Sequence, residues 1–124
     1  MIHIRLAAAV LLAASSLSPA AAQPASQTIQ VYSYGFGPKP IHLAAGKPVT
    51  LMFVNQSGSS HDFTAPQFFA SSNITAGSAP KGAIDLAAHQ TVSITLVPRA
   101  GNYQAHCSHF LHASFGMTDQ IVVN

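Results

Sequence analysis

Alternation of polar and apolar residues is the clearest local signal along the chain. The run TIQVYSY at 28–34 alternates with a period of two, which is typical of a strand with one buried face. The apolar run at 49–54 predicts a central strand, with Met52 in the core. Five further segments predict short strands: 41–43, 83–86, 91–97, 103–106 and 119–123. About seven short strands with Gly, Pro and Ser between them favour an all-β sandwich.

The segments between these strands predict one helix and several loops. Pro66 begins a PQFFA run and predicts a short helix, since proline suits the first helical turn. Residues 71–82 have the composition of a loop. The strands at 83–86 and 91–97 are expected to pair as a hairpin around the AAHQ connection.

The N-terminal segment has the organisation of a secretory signal peptide. A charged start is followed by the apolar run 6–14 and by three alanines that end at Ala22. The apolar run is shorter than the roughly 20 residues that a membrane-spanning helix needs. We therefore expect residues 1–22 to be removed, leaving one domain at 23–124 with no membrane span. The expected location is outside the cytoplasm, in the bacterial periplasm.

Charge limits the possible partners. Without residues 1–22, four basic and three acidic side chains remain, a net charge of +1. These scattered cations do not form the basic patch that nucleic-acid binding requires. A mostly neutral surface suits docking through apolar contact rather than long-range steering, so the expected partner is another protein.

The C-terminal loop carries the candidate chemistry. Cys107, His112 and Met117 follow one another at five-residue intervals. A thiolate, an imidazole and a thioether are three ligands of a blue-copper site, in which two His and one Cys form a plane and Met binds weakly along the axis. His61, which follows a polar loop after the central strand, is the candidate for the second imidazole. A Met ligand favours copper over structural zinc.

Simpler interpretations of these residues remain open. Cys107 is the one cysteine of the chain and could be a buried, inert thiol. His112 could be a surface residue and Met117 a packing residue. His61 could be an ordinary polar loop residue, because the sequence alone does not place it beside Cys107.

The His61-Asp-Phe segment and the Cys-x4-His-x4-Met loop together resemble the cupredoxin family of small blue copper proteins, which includes plastocyanin, azurin and auracyanin. The resemblance covers almost all of residues 23–124. It implies a single cupredoxin-like Greek-key β-sandwich that binds one copper per chain through His61, Cys107, His112 and Met117. It also implies a monomeric one-electron carrier between redox protein partners, and not an enzyme.

One residue departs from the family pattern. Asp62 follows the first ligand where many members have Asn, and we expect it to accept a backbone hydrogen bond near Cys107. The loop is also similar to the last copper segment of multicopper oxidases, which places a further His where this chain has Ser108.

Two histidines close to Cys107 in sequence are not explained by the family pattern. Neighbouring residues of a strand point to opposite faces, so His106 is expected to face away from the metal, and His109 is also expected not to bind it. A periplasmic copper chaperone or buffer that uses both is the alternative function. A third hypothesis, an oxidase or reductase fragment with a second copper at His106, would need closely spaced His pairs. Apolar residues around His112 predict a docking and electron-exit patch: Phe110, Leu111, Ala113 and Phe115.

Overall fold

The computed structural model describes residues 13–18, 23–109, 112 and 116–124. Within them are ten strands: β1 (Ala25–Tyr32), β2 (Gly35–Gly37), β3 (Ile41–Leu43), β4 (Val49–Asn55), β5 (His61–Thr64), β6 (Asn73–Ala76), β7 (Ala83–Leu86), β8 (Thr91–Val97), β9 (Gly101–His106) and β10 (Thr118–Val123). One short helix, α1, covers Pro66–Ser71, and a 3₁₀ turn covers Pro80–Gly82. Most of the predicted signal peptide, residues 1–12 and 19–22, lies outside the described residues.

The strands form two five-stranded sheets. One sheet has the order β2-β1-β4-β8-β6 and the other the order β3-β10-β9-β5-β7. Strand β1 is parallel to β4, and β3 is parallel to β10, whereas the other pairs are antiparallel. Two sheets with at most one short α-helix among the described residues confirm the predicted all-β sandwich.

The core lies between the two sheets. Phe53 of β4 and Phe63 of β5 come from opposite sheets, and their ring centroids are 4.8 Å apart. Both side chains are fully buried. Because burying one such side chain contributes about 1.5–3 kcal/mol, this interior stabilises the sandwich without a disulfide. Met52, which was expected in the core, is only half-buried, since alternation along β4 turns it to the outer face.

The predicted hairpin between 83–86 and 91–97 is wrong. Strand β7 pairs with β5, whereas β8 pairs with β4 and β6 in the other sheet. The connection at 87–90 is held by Asn55, whose amide donates to the Ala87 carbonyl over 2.9 Å and to the Ser59 carbonyl over 2.8 Å. The backbone N–H of Asn55 also donates to the Gln90 carbonyl. These bonds fix the connection against the β4–β5 loop, so it crosses between the sheets.

Other corrections concern short or exposed strands. The predicted loop at 71–82 contains β6, an exposed edge strand paired with β8, and the 3₁₀ turn. Strand β2 was not predicted, and the strand predicted at 28–34 instead covers Ala25–Tyr32. Edge strands such as β6 lack a fully buried face, so alternation gives little signal for them.

A buried carboxyl lies on β10, close to the C-terminal loop. Asp119 is 2% exposed. Its Oδ1 accepts the backbone N–H of Gln120 over 2.7 Å, and its Oδ2 has no hydrogen-bond partner in the described part of the chain. Burial raises the pKa of Asp119 to about 6, against the opposing effects of the Gln120 N–H and of Lys39. Folding therefore shifts Asp119 toward its neutral form relative to the unfolded chain.

Asp119→Asn should make the apo protein less sensitive to pH. Because the folded pKa of Asp119 lies above the unfolded value, its stabilising contribution is present below about pH 4 and is lost as pH rises through about 6. A pKa shift of this size corresponds to at most about 3 kcal/mol. Between pH 4 and pH 7, the unfolding free energy of the variant relative to that of wild type should therefore rise by about 1–3 kcal/mol. Urea unfolding at both pH values measures this, with Asp85→Asn as the exposed control. An equal difference between Asp119→Asn and wild type at the two pH values would contradict it.

Candidate metal centre

Three donor atoms converge at one end of the sandwich. His61 begins β5, Cys107 directly follows β9, and His112 lies in the loop before β10. The two imidazole Nδ1 atoms are 3.3 Å apart. The Cys107 Sγ lies 3.4 Å from Nδ1 of His112 and 3.9 Å from Nδ1 of His61. The structure thus brings together three of the four predicted site residues, including His61, which the sequence could not place.

Met117 closes the loop that carries two of these donors. Its carbonyl accepts the backbone N–H of Cys107 over 3.1 Å, and its own N–H donates to the His112 carbonyl over 3.0 Å. The Met117 side chain is fully buried. These two bonds hold the backbone of the fourth predicted residue beside the other two residues of the loop.

The spacing of the three atoms suits one metal ion. Bonds of about 2.0 Å to nitrogen and about 2.3 Å to sulfur, spread in a trigonal plane, place two nitrogens about 3.5 Å apart and a nitrogen and a sulfur about 3.7 Å apart. The observed distances of 3.3, 3.4 and 3.9 Å are close to these values. His61 is also oriented for binding, because Ser59 Oγ lies 3.3 Å from its Nε2. A proton on Nε2 leaves Nδ1 free as a ligand.

Burial favours the uncharged forms of the two buried donors, the His61 imidazole and the Cys107 thiol. Burial is the main cause that lowers the pKa of His61, and repulsion from His112 and His109 adds to it, against the opposing effect of Asp62. Burial raises the pKa of the Cys107 thiol, although the backbone N–H groups of Asp62 and His109 oppose this. His61 is therefore ready to bind a cation, whereas Cys107 needs the cation itself to lose its proton.

Asp62 joins the two segments that carry the donors. Its Oδ1 accepts the backbone N–H of Ser108 over 2.9 Å and the Thr64 hydroxyl over 2.7 Å, and its Oδ2 accepts the Ser108 hydroxyl. Burial acts to raise the pKa of Asp62, but these hydrogen bonds outweigh it and hold the pKa below the usual value. The expected backbone hydrogen bond, which Asp62 accepts from Ser108, is confirmed, and the carboxylate is ionised at neutral pH.

His109, which is expected not to bind the metal, lies close to the predicted ligands. Its Nε2 lies 3.6 Å from Asp62 Oδ2. Its ring centroid is 6.1 Å from that of His61 and 5.4 Å from that of His112. Asp62, Cys107 and His109 form a second group whose donor atoms lie within 4.8 Å of one another. The Cys-Ser-His spacing, taken together with Asp62, is the sequence signal that could have indicated it.

His106 lies apart from these donors. It ends β9 opposite Thr118 of β10 and Thr64 of β5. In the part of the chain that the structure describes, it belongs to neither donor group, whereas Cys107 belongs to both.

The aromatic surroundings of His112 include Tyr34, from the turn after β1. The two rings meet edge to face with centroids 5.6 Å apart, and Tyr34 is 58% exposed. The predicted apolar patch of Phe110, Leu111, Ala113 and Phe115 lies outside the described residues. Tyr34 is therefore an exposed aromatic side chain in contact with His112.

Comparison with known proteins agrees with this arrangement of sheets and loops. The model of the cupredoxin-like domain matches residues 4–123. The chain belongs to the cupredoxin-like domain family. A search of curated proteins gives no match. The match confirms the resemblance noted in the sequence and the predicted cupredoxin-like fold.

Two solved structures are similar to this cupredoxin-like chain. Auracyanin B is 20% identical with a TM-score of 0.58, and the alignment covers 84% of this chain and 92% of auracyanin B. The multicopper oxidase McoA from the hyperthermophile Aquifex aeolicus is 18% identical with a TM-score of 0.61, over 89% of this chain. This chain spans 32% of the length of McoA. Across the described ranges, no helix is long and apolar enough to cross a membrane.

Proposed function

We propose that the protein is a type 1 copper protein that binds one copper per chain and carries single electrons between redox protein partners. The observation that carries this proposal is the convergence of Cys107 Sγ with the Nδ1 atoms of His61 and His112. Bound copper supplies the one-electron chemistry by cycling between Cu(I) and Cu(II). The protein itself fixes the positions of the ligands and keeps water from most of the site.

The ligand roles follow from the chemistry of the donors. His61, Cys107 and His112 would supply the two imidazoles and the thiolate that hold copper, and Met117 would add a weak thioether ligand that tunes it. His61 begins β5 and Cys107 directly follows β9, and Asp62 ties these two segments together through Ser108. Such a rigid frame keeps the ligand positions similar in both oxidation states, which suits fast electron transfer.

A carrier fits the described residues better than an enzyme does. Both donor groups use Cys107, so they do not form two independent metal sites. The proposal includes export of residues 23–124 to the periplasm as a monomer. Copper handling, by a chaperone or buffer, is the second candidate, and the donor group of Asp62, Cys107 and His109 favours it. Repeated redox cycling without loss of copper would distinguish the carrier from a protein that transfers copper.

Copper loading tests the proposal directly. Purified residues 23–124 given Cu(II) should become intensely blue or green through thiolate-to-copper charge transfer, because Cys107 becomes a deprotonated ligand. Metal analysis should find one copper per chain, and a reductant should bleach the colour reversibly. Absence of the absorption band after copper loading would overturn the proposal.

His106→Ala should leave the absorption spectrum and the copper stoichiometry unchanged, because His106 lies outside both donor groups. The measurements are visible absorption and metal analysis of both proteins, together with assays of oxygen and nitrite turnover. A second copper in wild type that disappears in His106→Ala together with turnover would favour the enzyme instead.

A further inference from the structure

Each donor group has two buried residues and one partly exposed histidine, His112 in the first group and His109 in the second. Asp62 and Cys107 are 3% and 1% exposed, and His61 is 2% exposed. The side chain of His109, in contrast, is 38% exposed while its Nε2 lies 3.6 Å from the buried Asp62 carboxylate. His109 therefore connects the solvent with the buried thiol.

A groove leads to this side of the site. It has a volume of about 380 Å³, and His61 and His109 lie in its wall together with Asp85 and Gln90. Asp85 is exposed on β7 and is the register partner of Asp62 on β5. The groove thus presents the Asp85 carboxylate and the His109 imidazole to a cation from the solvent, while Asp62 and Cys107 lie outside its wall.

We propose that Asp62, Cys107 and His109 form a loading position for copper, from which the ion moves to His61 and His112 while Cys107 stays bound. This inference rests on the proposed function. The Cys107 thiol gives its proton to solvent when copper first binds. The bonds to Asp62 and His109 then break, bonds to the two Nδ1 atoms form, and no electron is transferred.

The ring positions make this transfer short. The His109 centroid lies 5.4 Å from that of His112 and 6.1 Å from that of His61, so the imidazoles of both positions are neighbours. The thiol is common to both donor groups. A metal ion can therefore exchange its nitrogen ligands without leaving the protein, because one strong bond is kept throughout.

Loading kinetics test the first part of the inference. Cu(II) mixed with the apo protein in a stopped-flow instrument should produce the thiolate absorption band about tenfold or more slowly in His109→Ala than in wild type. His109 is partly exposed, so its replacement should not disturb the fold. His106→Ala is the matched control, because His106 directly precedes Cys107 but belongs to neither donor group. This variant should load copper at the wild-type rate. Equal rates in His109→Ala and wild type would overturn the loading position.

A trapped complex tests the second part. In a His112→Ala background, copper should stay at the loading position, and its affinity is measured by competition with a chelator. Adding His109→Ala should weaken Cu(II) binding about tenfold or more, whereas adding His61→Ala should weaken it less than about twofold. The reverse order would place the ion at His61 and overturn the inference.

The outcomes for wild type separate the two proposals. If wild type never forms the thiolate band, the proposed function fails and the loading position fails with it. If wild type forms the band and His109→Ala forms it equally fast, only the loading position is refuted.

Discussion

Cys107→Ser should abolish the blue or green colour of the copper-loaded protein. The absorption arises from charge transfer between the thiolate and copper, and serine supplies no thiolate. Cys107 is buried next to two imidazole nitrogens. It also belongs to both donor groups, the one with His61 and His112 and the one with Asp62 and His109. Visible absorption and paramagnetic resonance of the Cu(II)-loaded variant measure the change. A variant that kept the wild-type band would show that Cys107 is not a ligand.

Met117→Leu is the matched variant for the proposed axial ligand. It should retain both copper and colour, because the thioether is a weak, long ligand that mainly tunes the site. Loss of this donor to Cu(II) should raise the reduction potential, and a shift of about 60 mV corresponds to a tenfold change in the relative affinity for the two oxidation states. Voltammetry measures it. Complete loss of copper from Met117→Leu would contradict the axial role.

Strands with one buried face could be predicted from the sequence, and strand pairing could not. The apolar run at 49–54 became β4, whose residues alternate between the core and the outer face. The connection at 87–90 looked local, yet Asn55 binds it from a distance in sequence and directs β7 and β8 into different sheets. Contacts of this kind, between residues far apart in sequence, can outweigh a local hairpin pattern, and the local sequence does not predict them.

The candidate metal site, like the fold, could be predicted only in part from the sequence. The spacing of Cys107, His112 and Met117 predicted a shared loop, because neighbours in sequence must be close in space. His61 is brought to Cys107 by the pairing of β5 beside β9, which depends on the whole sandwich. The position of His109 beside Asp62 depends on the direction of one side chain, and the sequence does not fix that direction.

Asp62→Ala should lower the unfolding free energy of the apo protein by about 3–5 kcal/mol, because each hydrogen bond to a charged group contributes about 1.5–3 kcal/mol and solvent replaces part of the loss. The variant leaves the Ser108 N–H, the Ser108 hydroxyl and the Thr64 hydroxyl without their acceptor. This is a large share of the roughly 5–15 kcal/mol that stabilises a typical domain. Urea unfolding of the apo protein measures it.

Two matched variants test whether the hydrogen bonds of Asp62 account for this loss of stability. Asp62→Asn keeps one carbonyl oxygen that can accept the Ser108 N–H, so it should lose less stability than Asp62→Ala. Asp85→Ala removes the exposed carboxylate that lies opposite Asp62 in the strand register, and should change stability by less than about 0.5 kcal/mol. If Asp62→Ala were as stable as Asp85→Ala, the carboxylate would not hold the two ligand segments together. The expected order instead makes Asp62 the residue through which folding of the sandwich positions Cys107 beside His61.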